Sequence, residues 1–141
     1  HDQALIFEDD VILCDNFIDI FNKYMNELPT DYDMLFIGDG CKLHIPKIMQ
    51  LEGKHIYAKT LQPTNWGGNG ATRCTDSYVL SKKGATALVK YIDSLKKKVH
   101  LPIDWWLNHA ARETNLNVYW AEPTIVTQGS ELGMFKSSYK L

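Results

Sequence analysis

The chain predicts an α/β fold, an open sheet with helices laid on it, on three observations. Two short runs, Ala4-Leu5-Ile6-Phe7 and Asp33-Met34-Leu35-Phe36-Ile37, apolar but for Asp33, have the length of strands buried on both faces. Stretches with apolar residues at helical spacing alternate with the strand-like runs. Both runs end in acids, Glu8-Asp9-Asp10 and Gly38-Asp39-Gly40, and ligands bind beyond the carboxyl ends of strands in open α/β sheets.

The 141 residues suit one domain with a real core. An apolar share of 45% and a charged share of 23% are ordinary for a globular protein. The net charge of −2 makes no broad electrostatic case for nucleic acid or an anionic membrane. No apolar run is long enough to span a bilayer, and no signal peptide is legible. Because the chain opens on His1 directly before a buried-type strand, it reads as a fragment or an excised domain. Cys14, Cys41 and Cys74 are widely spaced and odd in number, with no CxxC pair. They predict no disulfide framework and no zinc site, but incidental or buried thiols of a reducing compartment, which favours the cytoplasm. The final Tyr139-Lys140-Leu141 is not an endoplasmic-reticulum retention signal.

In chain order, Ala4–Phe7 is the first strand. The three acids after it repel one another, and each needs water or a counter-ion. A divalent cation relieves that repulsion, since hard cations take one or two carboxylates and leave room for substrate phosphates. The alternative is an acidic, solvated turn. Asp15 is placed to cap a helix whose stripe is Phe17, Ile20, Phe21, Tyr24, Met25 and Leu28, closed by Pro29. That aromatic stripe is core. The second strand ends at Gly38-Asp39-Gly40, where Asp39 reads as an ordinary turn aspartate. His55–Ala58 is a short strand. The glycine-rich stretch from Gln62 to Arg73 is a surface loop without a phosphate-loop motif. In it, Trp66 either stacks on a sugar face or pins the loop down.

Thr75–Leu80 has a strand pattern, and Ser81 is placed to cap a helix through Ala85, Leu88, Val89, Ile92 and Leu95. Lys96, Lys97 and Lys98 follow as a solvated helix terminus. Pro102 opens a third helix and puts Asp104 in its first turn. There an acid is favoured by the macrodipole alone, or serves as a general base with Trp105 and Trp106 excluding water. Leu107, Ala110 and Ala111 are core, and His109 is structural or on the surface. Val118–Ala121 and Thr124–Thr127 are closing strands broken by Pro123. The polar tail from Gln128 onward either crosses the cleft or is loose.

Several of these pieces together resemble glycosyltransferase family 25, which includes lipooligosaccharide and procollagen galactosyltransferases. They are Leu5-Ile6-Phe7-Glu8-Asp9-Asp10, Tyr32-Asp33-Met34-Leu35-Phe36-Ile37-Gly38, Thr75-Asp76-Ser77-Tyr78-Val79-Leu80-Ser81-Lys82-Lys83-Gly84-Ala85 and Pro102-Ile103-Asp104. Each motif is loose alone, but their order and spacing match along nearly the whole chain. The resemblance implies a GT-A-like (Rossmann-like) mixed sheet flanked by helices. It also implies a nucleotide-sugar donor, with a UDP-sugar first, a divalent Mn²⁺ or Mg²⁺, and inversion at the anomeric carbon. The acceptor is a hydroxyl of a glycan or glycoprotein, and galactose is the sugar by analogy.

Position by position, the resemblance makes Asp10 the metal ligand and places Glu8 and Asp9 at the donor sugar or ribose. It puts Gln128 near the diphosphate and makes Asp104 the base. Trp66 and Asp76 are weaker candidates on the acceptor side. Two departures stand out. Cys74 occupies a position where a glycine is common. The family's N-terminal strands, which hold the nucleotide base, are missing, so the expectation is the C-terminal portion of a catalytic domain with poor donor binding by itself. A second reading is a non-catalytic carbohydrate- or partner-binding remnant. A metal-dependent phosphohydrolase ranks last, because only Asp39 and Asp76 are available as further acids.

Overall fold

The computed structural model describes residues 1–59, 70–96 and 98–135. Its architecture is mixed α/β and Rossmann-like. Seven strands are described: β1 (Gln3–Phe7), β2 (Val11–Leu13), β3 (Met34–Phe36), β4 (Ile56–Lys59), β5 (Ser77–Ser81), β6 (Val118–Ala121) and β7 (Val126–Gln128). Three helices accompany them: α1 (Phe17–Glu27), α2 (Lys82–Ser94) and α3 (Ile103–Glu113). The main sheet has the order β1-β5-β3-β6-β4, and β2 pairs with β7 in a small second sheet. β3 and β6 are parallel, while β5 is antiparallel to both β1 and β3, and β4 is antiparallel to β6. The carboxyl ends of β1, β3 and β6 therefore share one edge of the sheet with the amino ends of β4 and β5.

Alternation along the strands divides the core in two. Met34, Phe36, Val118 and Trp120 join Leu88 of α2 and Trp106, Leu107, Ala110 and Ala111 of α3. Leu35, Ile37, Val79 and Ala121 join Phe17, Tyr24 and Leu28 on the α1 side. β3 is fully buried because both its faces are covered, which is why it reads as an unbroken apolar run.

β1 departs from the expectation of a strand buried on both faces. It ends the strand order among the described residues, its first residues are exposed, and Phe7 remains 38% exposed. A short apolar run does not distinguish an edge strand from a central one.

The expected α1 stripe is inside, but Asn16, not Asp15, holds the cap position, at φ 56° and without a side-chain cap bond. Ser81 caps α2 as expected, its Oγ accepting from the Gly84 amide at 3.0 Å. The buried face of α2 is rotated from the expected stripe: Gly84 and Leu88 face the sheet with Ala87 and Tyr91 beside them, whereas Val89 and Ile92 are exposed. Gly84 sets this rotation. A Cβ there would stand 2.8 Å from the Asp33 carbonyl oxygen, so the helix approaches the start of β3 on the face that has no side chain. Asp33 fastens the same corner by accepting from the Asn117 amide at 2.8 Å and facing Lys83 Nζ at 3.1 Å. α2 ends at Ser94, so Lys96 and Lys98 lie past its last turn.

A buried ion pair ties the segment before β5 to the end of β6. Arg73 is fully buried. It donates to the Ala121 carbonyl at 2.8 Å and to Glu122 Oε1 at 2.5 Å, and its guanidinium lies 4.3 Å over the Trp120 ring. Glu122 also accepts from the Ile45 amide at 3.1 Å. Breaking such a pair from one side leaves a buried charge uncompensated. Arg73→Met is expected to destabilise the fold by about 3–5 kcal/mol, read as a lower urea midpoint. An unchanged midpoint would show that the pair does not hold these segments.

Candidate active site

Several candidate side chains lie at the sheet edge defined by the carboxyl ends of β1, β3 and β6. Glu8, Asp9 and Asp10 leave β1 in a turn, and the Glu8 amide donates to the Asp76 carbonyl at 2.9 Å. The Glu8 carboxylate accepts from the Thr75 hydroxyl at 2.7 Å. Gly38 and Asp39 continue from β3, and Asp76 immediately precedes β5. The small β2–β7 sheet adds Gln128. Val11 pairs with Gln128, and the next step of that ladder is the Gly129 amide donating to the Asp10 carbonyl at 2.7 Å. Two regions remote in sequence, residues 8–10 and 128–129, are thereby neighbours.

Asp76 is the most deeply placed of these acids, with no exposed surface. Burial pushes its carboxyl up to about 7, the charges of Asp39 and Glu8 push the same way, and hydrogen bonds from Ser77 oppose them. Three carboxylate oxygens, Asp10 Oδ1, Asp39 Oδ1 and Asp76 Oδ1, are shut off from solvent without a hydrogen-bond partner. Such oxygens are costly to bury unless something positive meets them. Asp39 stands in a turn as expected, its carbonyl accepting from the Lys42 amide at 2.6 Å.

Among the described residues no group of three or more His, Cys, Asp and Glu side chains is arranged to hold a metal by itself. The donor set instead suits a hard cation held by one or two carboxylates, with the remaining positions filled by phosphate oxygens and water. The orphaned Oδ1 of Asp10 fits that arrangement.

Asp104 stands in the first turn of α3. Its Oδ1 accepts from the Trp105 amide at 2.9 Å, and the Asn108 side-chain oxygen accepts from the Ala71 amide at 2.7 Å, which ties α3 to the segment before β5. A cavity of about 340 Å³ opens there, lined by Cys41, Leu43, Thr72, Cys74, Asp104, Trp105 and Asn108. Cys74 is a wall of this cavity, and its neighbour Thr75 bonds Glu8, so the Asp104 hollow and the acidic edge share a boundary. The two tryptophans do not close over Asp104: Trp106 belongs to the core, and Trp105 lines the cavity while remaining 62% exposed. Trp66 lies outside the described residues. His109 is structural as expected, within 3.0 Å of the Tyr91 hydroxyl of α2.

A family model described as glycosyltransferase family 25 (LPS biosynthesis protein) matches residues 1–107. The chain belongs to glycosyltransferase family 25. The matched range includes Glu8, Asp10, Asp76 and Asp104 but stops short of Gln128. No curated protein matches the chain significantly. A glycosyltransferase moves a sugar from a donor to an acceptor. No described helix of this one is long and apolar enough to cross a membrane.

Sequence reasoning missed three features. Arg73 and Glu122 look like ordinary surface charges in the sequence, and only their burial reveals the clamp. The approach of Cys41 to Cys74 is invisible because 33 positions separate them. Gly38 was legible only as a turn glycine, yet a Cβ there would overlap the Asp76 carboxylate. Gly38→Ala is therefore expected to displace Asp76 and cost about 1–3 kcal/mol of stability by overpacking, read by denaturant unfolding. Wild-type stability would mean that the edge is looser than described.

Proposed function

We propose that this glycosyltransferase uses a nucleotide-sugar donor, a UDP-sugar first, and transfers a hexose to a hydroxyl of a glycan or glycoprotein. Galactose is the sugar suggested by the likeness to lipooligosaccharide and procollagen galactosyltransferases. The observation that carries the reading is the group of solvent-inaccessible, unpartnered carboxylate oxygens at one sheet edge, bordering a cavity that contains a further acid. It supports a GT-A-like arrangement in which the donor diphosphate lies along the ends of β1 and β3.

Asp10 would hold a divalent Mn²⁺ or Mg²⁺ against the diphosphate, with Gln128 beside it. When bound, such an ion neutralises the charge that builds on the departing nucleoside diphosphate. Glu8 and Asp9 face the donor sugar or ribose; Thr75 keeps the Glu8 carboxylate oriented. Asp104 acts as general base. Its Oδ1 is held by the Trp105 amide, which fixes the carboxylate plane and leaves Oδ2 to receive the proton of the acceptor hydroxyl. As that proton leaves, the hydroxyl oxygen bonds to the anomeric carbon from the face opposite the diphosphate, and the configuration inverts. The acceptor sits in the cavity between Trp105 and Cys74; Asp76, two residues beyond Cys74, is a weaker candidate on that side.

Asp104→Asn keeps the oxygen that accepts from Trp105 and removes the base. It should lower kcat by about 10²- to 10⁴-fold with the donor KM little changed, measured by initial-rate kinetics. Asp10→Ala should abolish metal-dependent transfer at a wild-type unfolding midpoint. Undiminished kcat in the first variant would exclude Asp104 as base. Undiminished transfer in the second would exclude Asp10 as the metal ligand.

A further inference from the structure

Cys41 and Cys74 are brought together by two loops that have no sequence relation to each other. The Cys74 thiol points at Cys41 Sγ at 3.2 Å. Cys41 is exposed and Cys74 partly so. Cys41 lies in the short 3-10 turn that follows β3 (Gly40–Lys42), and Cys74 in the segment that leads into β5. Both line the cavity that contains Asp104. Both also hold left-handed backbone conformations, at φ 54° each. Glycine adopts that region with less strain than any residue with a side chain. Two strained positions thus carry thiols that meet, where glycine would serve the backbone better.

The surroundings keep the pair in register. A Cβ on Gly40 would stand 2.6 Å from the Cys74 Cβ, so the absent side chain at residue 40 lets the two loops approach. The Cys41 amide donates to Glu131 Oε1 at 3.0 Å, which ties the same turn to the segment after β7. Closing from contact distance to a sulfur–sulfur bond of about 2.05 Å asks the sulfurs to approach by roughly one ångström. Side-chain rotation and a small loop shift can supply that.

We propose that Cys41 and Cys74 form a modification site: an oxidisable dithiol that takes a small disulfide as its oxidant and closes an internal disulfide across the cavity wall. Cys41 is the more exposed thiol and makes the first attack. Its thiolate bonds to one sulfur of the oxidant and expels the other half as a thiolate. Cys74 then loses its proton and attacks Cys41 Sγ, expelling the second half. Two protein thiols give up two protons and two electrons, and the oxidant becomes two thiols. Burial raises the Cys74 thiol above its ordinary range, with the bond to Cys41 and the nearby Asp104 and Asp76 carboxylates acting in the same direction. Cys74 is therefore the poorer first attacker, and its contact with Cys41 Sγ at 3.2 Å is what places it as the resolving thiol. The bond links the loop after β3 to the segment before β5, so oxidation changes how far the Asp104 cavity can open. Cys14, at the end of β2, takes no part. The site does not depend on the identity of donor or metal.

The test is incubation of the reduced protein with oxidised glutathione, followed by alkylation, intact mass and peptide mapping. The expected product has lost two hydrogens, yields a peptide linking Cys41 to Cys74 and retains an alkylated Cys14. Cys14→Ser should behave the same way, while Cys41→Ser should give no cross-linked peptide. A stable glutathione adduct on Cys41 with Cys74 still alkylated would overturn the proposal. So would three alkylated cysteines, or a linkage through Cys14. Because the readout is chemical and not catalytic, it stands or falls separately from the transferase reading.

Discussion

Carboxylates crowd one sheet edge here, from exposed Asp9 to fully buried Asp76, and the rest of the site follows from how that crowding is tolerated. Asp76 has no exposed surface, and burial together with Asp39 and Glu8 pushes its carboxyl up to about 7. Glu8 is relieved by the Thr75 hydroxyl. Asp10, Asp39 and Asp76 each keep one solvent-inaccessible oxygen without a hydrogen-bond donor from the protein. Low-dielectric surroundings make each such oxygen expensive. Nothing in the packing of the strands requires acids at these positions, because β3 is held by apolar contacts on both faces. The proposed function accounts for the acids by what they would bind.

The scaffold that holds the edge is assembled from separate fastenings. Asp33 joins β3, α2 and the start of β6 at the opposite edge. Arg73 and Glu122 join the segment before β5 to the end of β6. The β2–β7 ladder carries residues 128–129 to Asp10. A buried ion pair adds little net stability over an apolar replacement, so the contribution of Arg73 lies in where it fixes residues 71–75. Thr72 and Cys74 of that segment line the cavity, and Thr75 bonds Glu8.

Much of this was legible because periodicity and end signals agree. β3, the apolar stripe of α1, the Ser81 cap and the first turn of α3 each follow from a local pattern that tertiary packing reinforces. Glu8–Asp10 and Asp104 were legible as candidates because acids at element ends carry a chemical meaning. What was illegible depends on contacts between distant residues. The exposed flank of β1 is a matter of strand order, which an apolar run of its length does not encode. The rotation of α2 follows from the close approach of Gly84 to Asp33. The thiol contact follows from two turns meeting, at a position whose left-handed φ a glycine would adopt with less strain than Cys74.

The central claim is that a cation completes the acidic edge together with a diphosphate. Its most direct test is the thermal unfolding midpoint with Mn²⁺ alone, UDP alone and both together, in the wild type and in Asp10→Ala. A ligand that binds only the folded state raises the midpoint by mass action. The account predicts a rise with Mn²⁺ and UDP together that exceeds the sum of the separate effects and disappears in Asp10→Ala. Equal midpoints under all conditions, or a combined rise that survives the substitution, would contradict it.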